Sequence, residues 1–383
     1  MGASVVTNGG KRLRVGILFG GRSGEHEVSL ASAASVIRAL DPQKYEAVPI
    51  GITKDGRWLV GTNAQKMLPE VLKSGERVVL PPDPSAAALV PLGAGTSQPT
   101  VKVDVVFPVL HGTFGEDGTV QGLLELAGLP YVGAGVLGSA VGMDKDVQKR
   151  LFKEAKLPIV PYLAIRRSDW EKDRAGVTGL IKKTLKFPLF FKPATLGSSV
   201  GMTRVTNADG IAKAMDFAAK FALKIIVERG VSGREIEVSV LGNDEVRASI
   251  PGEIKPHREF YDYTAKYLEG GTELLIPAPL TKAQVAKFQD YAVRAFQAID
   301  GTGMSRCDFF LENRTGKIYV NELNTIPGFT SISMYPKMWE ASGLPYSELI
   351  DRLIELAFEL HREKSRTKYS IDLPAGSGGA LEG

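Results

Sequence analysis

Apolar positions recur in two rhythms along this chain, one suited to strands and one to helices. Leu13–Phe19 is an almost wholly apolar run and predicts a buried strand ending at Gly20-Gly21. Leu30, Ala33, Ile37 and Leu40 then return at spacings of three and four, one face of a helix. Tyr45–Ile52 and Val103–Leu110 predict further strands. Val120, Leu123, Leu124 and Ala127 predict a helix stopped by Gly128 and Pro130. Strand, helix and strand in succession imply a parallel α/β sheet. Pro81–Thr100, rich in Pro, Ala and Gly, reads as a loop insertion, and Asn63–Thr100 carries no motif that places it.

The texture changes at Gly142. A charged helix is expected over Asp144–Ala155. A Gly197-Ser198-Ser199 turn separates strands at Phe187–Lys192 and Val200–Val205, and a helix follows around Ile211–Phe221. Ile236, Val238 and Val240 share one face of a later strand. Val285, Phe288, Ala292, Ala295 and Ile299 mark a long helix. The expected division is an α/β unit over 12–139, α+β units over 140–235 and 236–366, and a disordered tail over 367–383 that is Gly-rich from Ala375.

The most informative stretch is Met304–Gly328, MSRCDFFLENRTGKIYVNELNTIPG. Alternation puts Arg306 and Asp308 on one face and Ser305, Cys307 and Phe309 on the other; Glu322 and Asn324 share a face of the second strand. A three-residue turn, Arg314-Thr315-Gly316, would make the hairpin symmetric about Thr315, setting Asp308 opposite Glu322 and Arg306 opposite Asn324. Opposed carboxylates lie only ~5 Å apart at Cβ and repel unless a cation sits between them. Two carboxylates and an amide oxygen make a hard site suited to Mg²⁺ with substrate phosphates. The bland reading is a surface hairpin whose acids face water; Phe309, Phe310, Leu311, Ile318 and Val320 around them argue for partial burial instead.

Other segments are weaker alone. Lys192 at a strand end, followed by the Gly-Ser-Ser turn, offers an ammonium and backbone N–H donors to phosphate, although such turns are common. FGGRSGEHEVS, Phe19–Ser29, offers a Gly-rich strand-to-helix turn but lacks a dinucleotide fingerprint, and taken alone its glutamates are better read as helix capping and dipole pairing. His111 follows a strand at its carboxyl end, where α/β sheets place ligands, or is a plain turn residue. Cys307 reads as a small core residue.

Composition narrows the setting. There are 47 Lys+Arg against 43 Asp+Glu, a net charge of +4 over 383 residues, which leaves no basic footprint for nucleic acid. A lone cysteine favours a reducing, cytoplasmic setting. No apolar run approaches a membrane span, and the first residues lack the apolar core of a signal peptide. The 44% hydrophobic and 23% charged fractions are those of a globular protein.

GGRSGEHEVS, HGTFGEDGTVQG, KPATLGSSVGM, FYDYTAKY, RCDFF and VNELNTIPGFT stand in the order and spacing of D-alanine–D-alanine ligases of the ATP-grasp superfamily. The resemblance runs from about Arg14 to Ala357. It implies an ATP-grasp α/β architecture: an N-terminal parallel α/β domain, then two α+β domains holding ATP between them. It also implies ligation of two D-alanines through a D-alanyl phosphate, for peptidoglycan precursors. Mg²⁺ (two ions, with Mn²⁺ a possible substitute), a homodimer and a cytoplasmic location are further implications.

Carried over by resemblance, Glu25 binds the ammonium of the first D-alanine, with His111 beside that substrate. Lys145 and Lys192 look like phosphate ligands, and Glu228 and Glu235 like adenine and ribose contacts. Asp308, Glu322 and Asn324 match the magnesium ligands, in agreement with the hairpin argument. Arg306 and the Gly328 N–H match the donors to a tetrahedral oxyanion. Lys266 and Ser333 resemble the grip on the second carboxylate. Tyr267, within an expected lid at Phe260–Gly271 that also holds Tyr261 and Tyr263, closes a hydrogen-bonded set with Glu25 and Ser198. A D-alanine–D-lactate ligase, another ATP-grasp ligase, or an inactive nucleotide-binding regulator are the competing readings. The last requires a lost ligand, and Lys192, Arg306, Asp308, Glu322 and Asn324 are all present.

Overall fold

The computed structural model describes residues 11–61, 68–93, 99–256, 272–330 and 332–369. The expected lid, with Lys266 and Tyr267, therefore lies outside the described residues, as do residues 370–383 of the expected tail.

The described residues build three sheets. The first comprises β1 (Leu13–Gly20), β2 (Tyr45–Ile52), β3 (Trp58–Val60), β4 (Glu76–Val79), β5 (Ala88–Pro91), β6 (Val101–Lys102) and β7 (Val105–Pro108), in the order β6-β5-β4-β3-β2-β1-β7. As the pattern predicts, β1 is flanked by parallel β2 and β7, with α1 (His26–Ala39) crossing between β1 and β2. The expected loop at Pro81–Thr100 is not simply a loop. Ala88–Pro91 pairs antiparallel with both β4 and β6. Ala88 and Leu89 are buried, but so short an apolar run between Pro- and Ser-rich flanks shows no period to read. Within Asn63–Thr100 the chain also forms α2 (Leu68–Ser74), which buries Leu68 and Val71 against the β1 core.

Helices α3 (Thr119–Leu126), α4 (Val136–Met143) and α5 (Lys145–Glu154) follow. Asp144 starts α5 by accepting the N–H groups of Asp146 and Val147. The second sheet runs β10-β9-β11-β8, from β8 (Tyr162–Arg166), β9 (Leu189–Pro193), β10 (Thr203–Val205) and β11 (Lys224–Arg229). It is covered by α6 (Arg167–Lys172), α7 (Arg174–Thr184) and α8 (Ile211–Ala218), the last ending three residues before the expected Phe221.

The third sheet holds β12 (Gly233–Gly242), β13 (Arg247–Ala248), β14 (Gly252–Pro256), β15 (Thr272–Leu275), β16 (Gly303–Glu312) and β17 (Ile318–Asn324), in the order β15-β14-β12-β16-β17 with β13 on β12. Ile236, Val238 and Val240 face Phe288, Ala292 and Ala295 of α9 (Lys282–Ala298), whose first turn is closed by a Thr281/Gln284 capping box. After α10 (Met334–Ala341), α11 (Tyr346–Ser365) returns to the first sheet. Its Leu349, Ile350 and Leu353 share a core with Val15, Ile17 and Phe107. No helix among the described residues is long and apolar enough to cross a membrane.

The hairpin β16–β17 sets Asp308 opposite Glu322 and Arg306 opposite Asn324, as expected. The route to that register is different. Nearer the turn, Phe309 pairs with Val320 and Leu311 with Ile318, one residue away from symmetry about Thr315. The Glu312 N–H donates to Lys317, so the connection spans Asn313–Gly316 rather than a three-residue turn. A bulge at Asn321 then restores the register on the acidic side.

Candidate active site

Three groups of side chains gather where the sheets meet. The first is the outer face of the β12–β16–β17 ladder. Alternation buries Cys307 completely, and that burial pushes its thiol well up, so it is core and not a nucleophile. Arg306 and Asp308 point the other way. The Arg306 guanidinium engages Asp308 through Nε and Nη2, both at 2.7 Å, and lies 3.1 Å from the buried Glu237. Asn324 donates its amide to Asp308 at 3.0 Å. In register, Glu237 faces Asp308 and Asp308 faces Glu322, so three carboxylates cross adjacent strands in a row. Such a row repels itself, and Arg306, with Lys145 at 3.2 Å from Glu322, supplies the balancing charge. Asp308, Glu322 and the Asn324 amide oxygen are hard oxygen donors of the kind a divalent cation takes, while among the described residues no three acidic, His or Cys side chains converge to hold one by themselves.

The second group is a buried ion cluster. Alternation along β9 and β11 brings Lys192 and Glu228 to one face, 2.7 Å apart. Lys149 of α5 reaches the other oxygen of Glu228, also at 2.7 Å. Burial opposes the Lys192 ammonium, but the Glu228, Glu322 and Glu235 carboxylates outweigh it and raise its pKa. Burial likewise opposes the Glu228 anion, yet Lys149 and Lys192 hold its pKa below the ordinary value. Glu228 is thus gripped by two lysines. Glu235 is half-buried on β12 and joins the field around Lys192. Lys145 donates to the Leu196 carbonyl at 2.9 Å, tying the Gly-Ser-Ser turn to β17.

The third group surrounds Glu25, just before α1. Its side chain makes no cap bond, so capping does not account for it, while Glu27 in the first turn of α1 keeps the dipole pairing. Instead Ser198 donates its hydroxyl to the Glu25 carboxylate. A Cβ at Gly197 would lie 3.1 Å from Glu25 Oε2 and one at Gly112 only 2.9 Å, so both glycines let backbone close around the carboxylate. Ser198 and Ser199 hold left-handed φ values of 49° and 59°, strain of the kind that gathers at ligand clamps. His111 is 5% exposed; its Nδ1 faces the Ile326 carbonyl at 3.1 Å and its Nε2 the Ser32 hydroxyl at 3.3 Å. Burial lowers its pKa and keeps the imidazole neutral, although Glu25 pulls the other way. Beyond Ile326, Gly328 leaves room for Ser333, whose hydroxyl would meet a Cβ there at 2.9 Å.

Family models for the D-ala D-ala ligase N-terminus and C-terminus match residues 14–134 and 151–355. The chain belongs to the D-alanine–D-alanine ligase family. A D-alanine–D-alanine ligase from Heliobacterium modesticaldum is 53% identical over 92% of this chain and 96% of its own length. One from Natranaerobius thermophilus is 48% identical over 93% and 98%. Among solved structures, the Coxiella burnetii D-alanine–D-alanine ligase matches with a TM-score of 0.82 at 38% identity, covering 93% of this chain and 96% of that one. A D-Ala:D-Ser ligase from Enterococcus faecalis matches at 0.80 and 36%, covering 91% and 100%. The ATP-grasp architecture of this D-alanine–D-alanine ligase family is therefore the fold of the chain.

Three residues that make contacts in this region are not singled out by sequence: Lys149, Glu237 and Glu116. Lys149 stands one turn after Lys145 on the same helical face, a signal the i, i+4 rule carries. Glu237 lies two residues from Glu235 on one strand face. Glu116 sits inside HGTFGEDG and accepts the N–H groups of Gly112 at 2.8 Å and Ile326 at 3.0 Å, joining the His111 loop to the segment after β17.

Burial first, and the Glu25 charge second, push the Glu116 carboxyl up to about 8. The folded protein then keeps a proton that the unfolded chain releases near 4.5, so this contribution to stability is full below that pH and is lost as pH rises through about 8. The melting temperature of Glu116→Gln is expected to fall less than the parent's between pH 6 and pH 9. Equal slopes would contradict the assignment.

Proposed function

We propose that the chain joins two D-alanines into D-alanyl-D-alanine, with ATP converted to ADP and phosphate. The observation that carries this reading is the Glu25 carboxylate, closed in by Gly112, Gly197 and Ser198, beside a phosphate-suited pair of lysines and an oxygen-rich strand face. Glu25 binds the ammonium of the first D-alanine and aims its carboxylate toward the lysines. That carboxylate attacks the γ-phosphorus of ATP, ADP leaves, and a D-alanyl phosphate results. Lys145 and Lys192 offset charge on the phosphates, as phosphoryl transfer requires positioning and neutralisation above all. The amine of the second D-alanine, held by Ser333 and Lys266, then attacks the carbonyl carbon. Arg306 and the Gly328 N–H donate to the oxyanion, and phosphate departs with the former carboxylate oxygen.

Asp308, Glu322 and Asn324 would hold Mg²⁺, which neutralises developing phosphate charge when bound. By resemblance we assign two such ions, with Mn²⁺ as a substitute. We also read the enzyme as a cytoplasmic homodimer of three units (12–139, 140–235 and 236–366) serving peptidoglycan precursors; the lone buried cysteine suits a reducing compartment.

The test is competition between acceptors. With ATP, D-alanine and an equal amount of D-lactate, dipeptide should exceed depsipeptide at every pH from 6 to 9; a predominant depsipeptide would overturn the acceptor assignment. Tyr267→Phe, which removes the hydroxyl assigned to the Glu25–Ser198 set, is expected to lower that preference. A uniform loss with both acceptors would reduce Tyr267 to a packing residue.

A further inference from the structure

Lys149 takes no part in the reaction as written, yet it is among the most deeply buried charged groups described, with 1% exposure. A buried ammonium is costly unless fully paired, so its partners show what it is for. One is the Glu228 carboxylate at 2.7 Å, which also holds Lys192 at 2.7 Å. The other is the carbonyl of Asn321 at 2.8 Å.

Both partners lead to the site. Glu228 shares one negative charge between two ammonium groups, within a field to which Glu322 and Glu235 also contribute. Burial lowers the Lys149 pKa, and Glu228 works against that loss. Without Lys149, the Glu228 charge would fall on Lys192 alone and leave less of that ammonium for phosphate. Asn321 is the residue of β17 skipped in the pairing with β16, and it is the carbonyl of this bulged residue that accepts from Lys149. Among the described residues β17 ends its sheet, bridged at Val320 to Ile159, and α5 lies against the part that follows: Gln148 accepts the Leu323 N–H at 2.9 Å while Lys149 donates to the Asn321 carbonyl. If the register near the turn continued without the bulge, Glu322 would stand opposite Cys307 and turn into the core. The bulge keeps it on the Asp308 face.

We propose that Lys149 is a positioning residue of the nucleotide and metal site, freeing the charge of Lys192 for the phosphates of ATP and pinning the bulge that sets Glu322 and Asn324 against Asp308. The inference rests on the ATP-dependent ligase reading, and at 2% side-chain exposure Lys149 acts through its neighbours and not by contact with substrate.

The experiment measures equilibrium ATP binding in Mg²⁺ without D-alanine, for the parent, Lys149→Met and Lys149→Gln, with steady-state kinetics alongside. Methionine keeps the volume but removes both charge and donor; glutamine removes the charge and keeps a donor for Asn321. Both variants are expected to bind ATP about tenfold more weakly, the loss of one favourable charge interaction of ~1.4 kcal/mol. The KM for D-alanine at saturating ATP should stay within about twofold of the parent. The Mg²⁺ concentration for half-maximal turnover should rise more in the methionine variant than in the glutamine variant. ATP affinity within about twofold of the parent in either folded variant would overturn the proposal. So would a parallel rise of the ATP and D-alanine KM values, which marks general loosening. If Lys149→Met does not fold, Lys149→Gln alone decides by its ATP affinity. Absence of D-alanine-dependent ADP release by the parent would sink the ligase reading separately, since the binding comparison needs no D-alanine.

Discussion

Glu322→Gln is expected to lower D-alanine-dependent ATP turnover by about two to three orders of magnitude at ordinary Mg²⁺, with the fold intact. The substitution is nearly isosteric, so what it removes is charge. Glu322 faces Asp308 directly across the ladder and lies 3.2 Å from Lys145. An amide there weakens the attraction for a divalent cation and releases Lys145 from its ion pair. The side chain is 23% exposed, so a neutral amide remains solvated and stability changes little. Raising Mg²⁺ should recover part of the loss. Parent-like turnover at ordinary Mg²⁺, in a variant with an unchanged melting temperature, would remove Glu322 from the metal site.

Arg306→Lys should lower kcat by about two to three orders of magnitude, the size seen when an oxyanion donor is lost, while ATP affinity stays close to the parent's. The guanidinium engages both oxygens of Asp308 and also approaches Glu237. Its planar fork can keep such anchors and still present an N–H to a developing oxyanion, whereas a lysine ammonium is a point charge on a flexible stem. The arrangement also explains why Glu237 is buried: it helps fix the arginine's orientation. Steady-state kinetics decide the matter. A rise in the KM for ATP with kcat preserved would instead make Arg306 a nucleotide-binding residue.

Much of the fold is legible in the amino-acid pattern, and the departures from it have physical causes. The parallel core around β1 follows from an unbroken apolar run, a helical stripe and a second run, because each element shows its period over enough residues. β5 escapes such a reading because Ala88–Pro91 is too short for alternation to register. The pairing of Asp308 with Glu322 agrees with the symmetric hairpin, but through two compensating departures, a longer turn and a bulge at Asn321. Turn length and bulge depend on what packs against the strand, here Lys149 and Gln148 from α5, and local sequence does not carry that. Glu25 illustrates the other limit. At a helix start a glutamate reads as dipole pairing, and only the return of Gly112, Gly197 and Ser198 from distant segments reveals a site. Glu228, by contrast, is held by two lysines in a way that no spacing announces.

The most direct measurement supplies D-alanine labelled with ¹⁸O in both carboxylate oxygens, together with unlabelled ATP and Mg²⁺, and analyses the released phosphate by mass spectrometry. Attack of the carboxylate on the γ-phosphorus, followed by aminolysis of the D-alanyl phosphate, delivers one ¹⁸O atom to phosphate for every D-alanyl-D-alanine formed. Dipeptide formation with unlabelled phosphate would contradict the acyl-phosphate route, and absence of D-alanine-dependent ADP formation would contradict the ligase assignment itself.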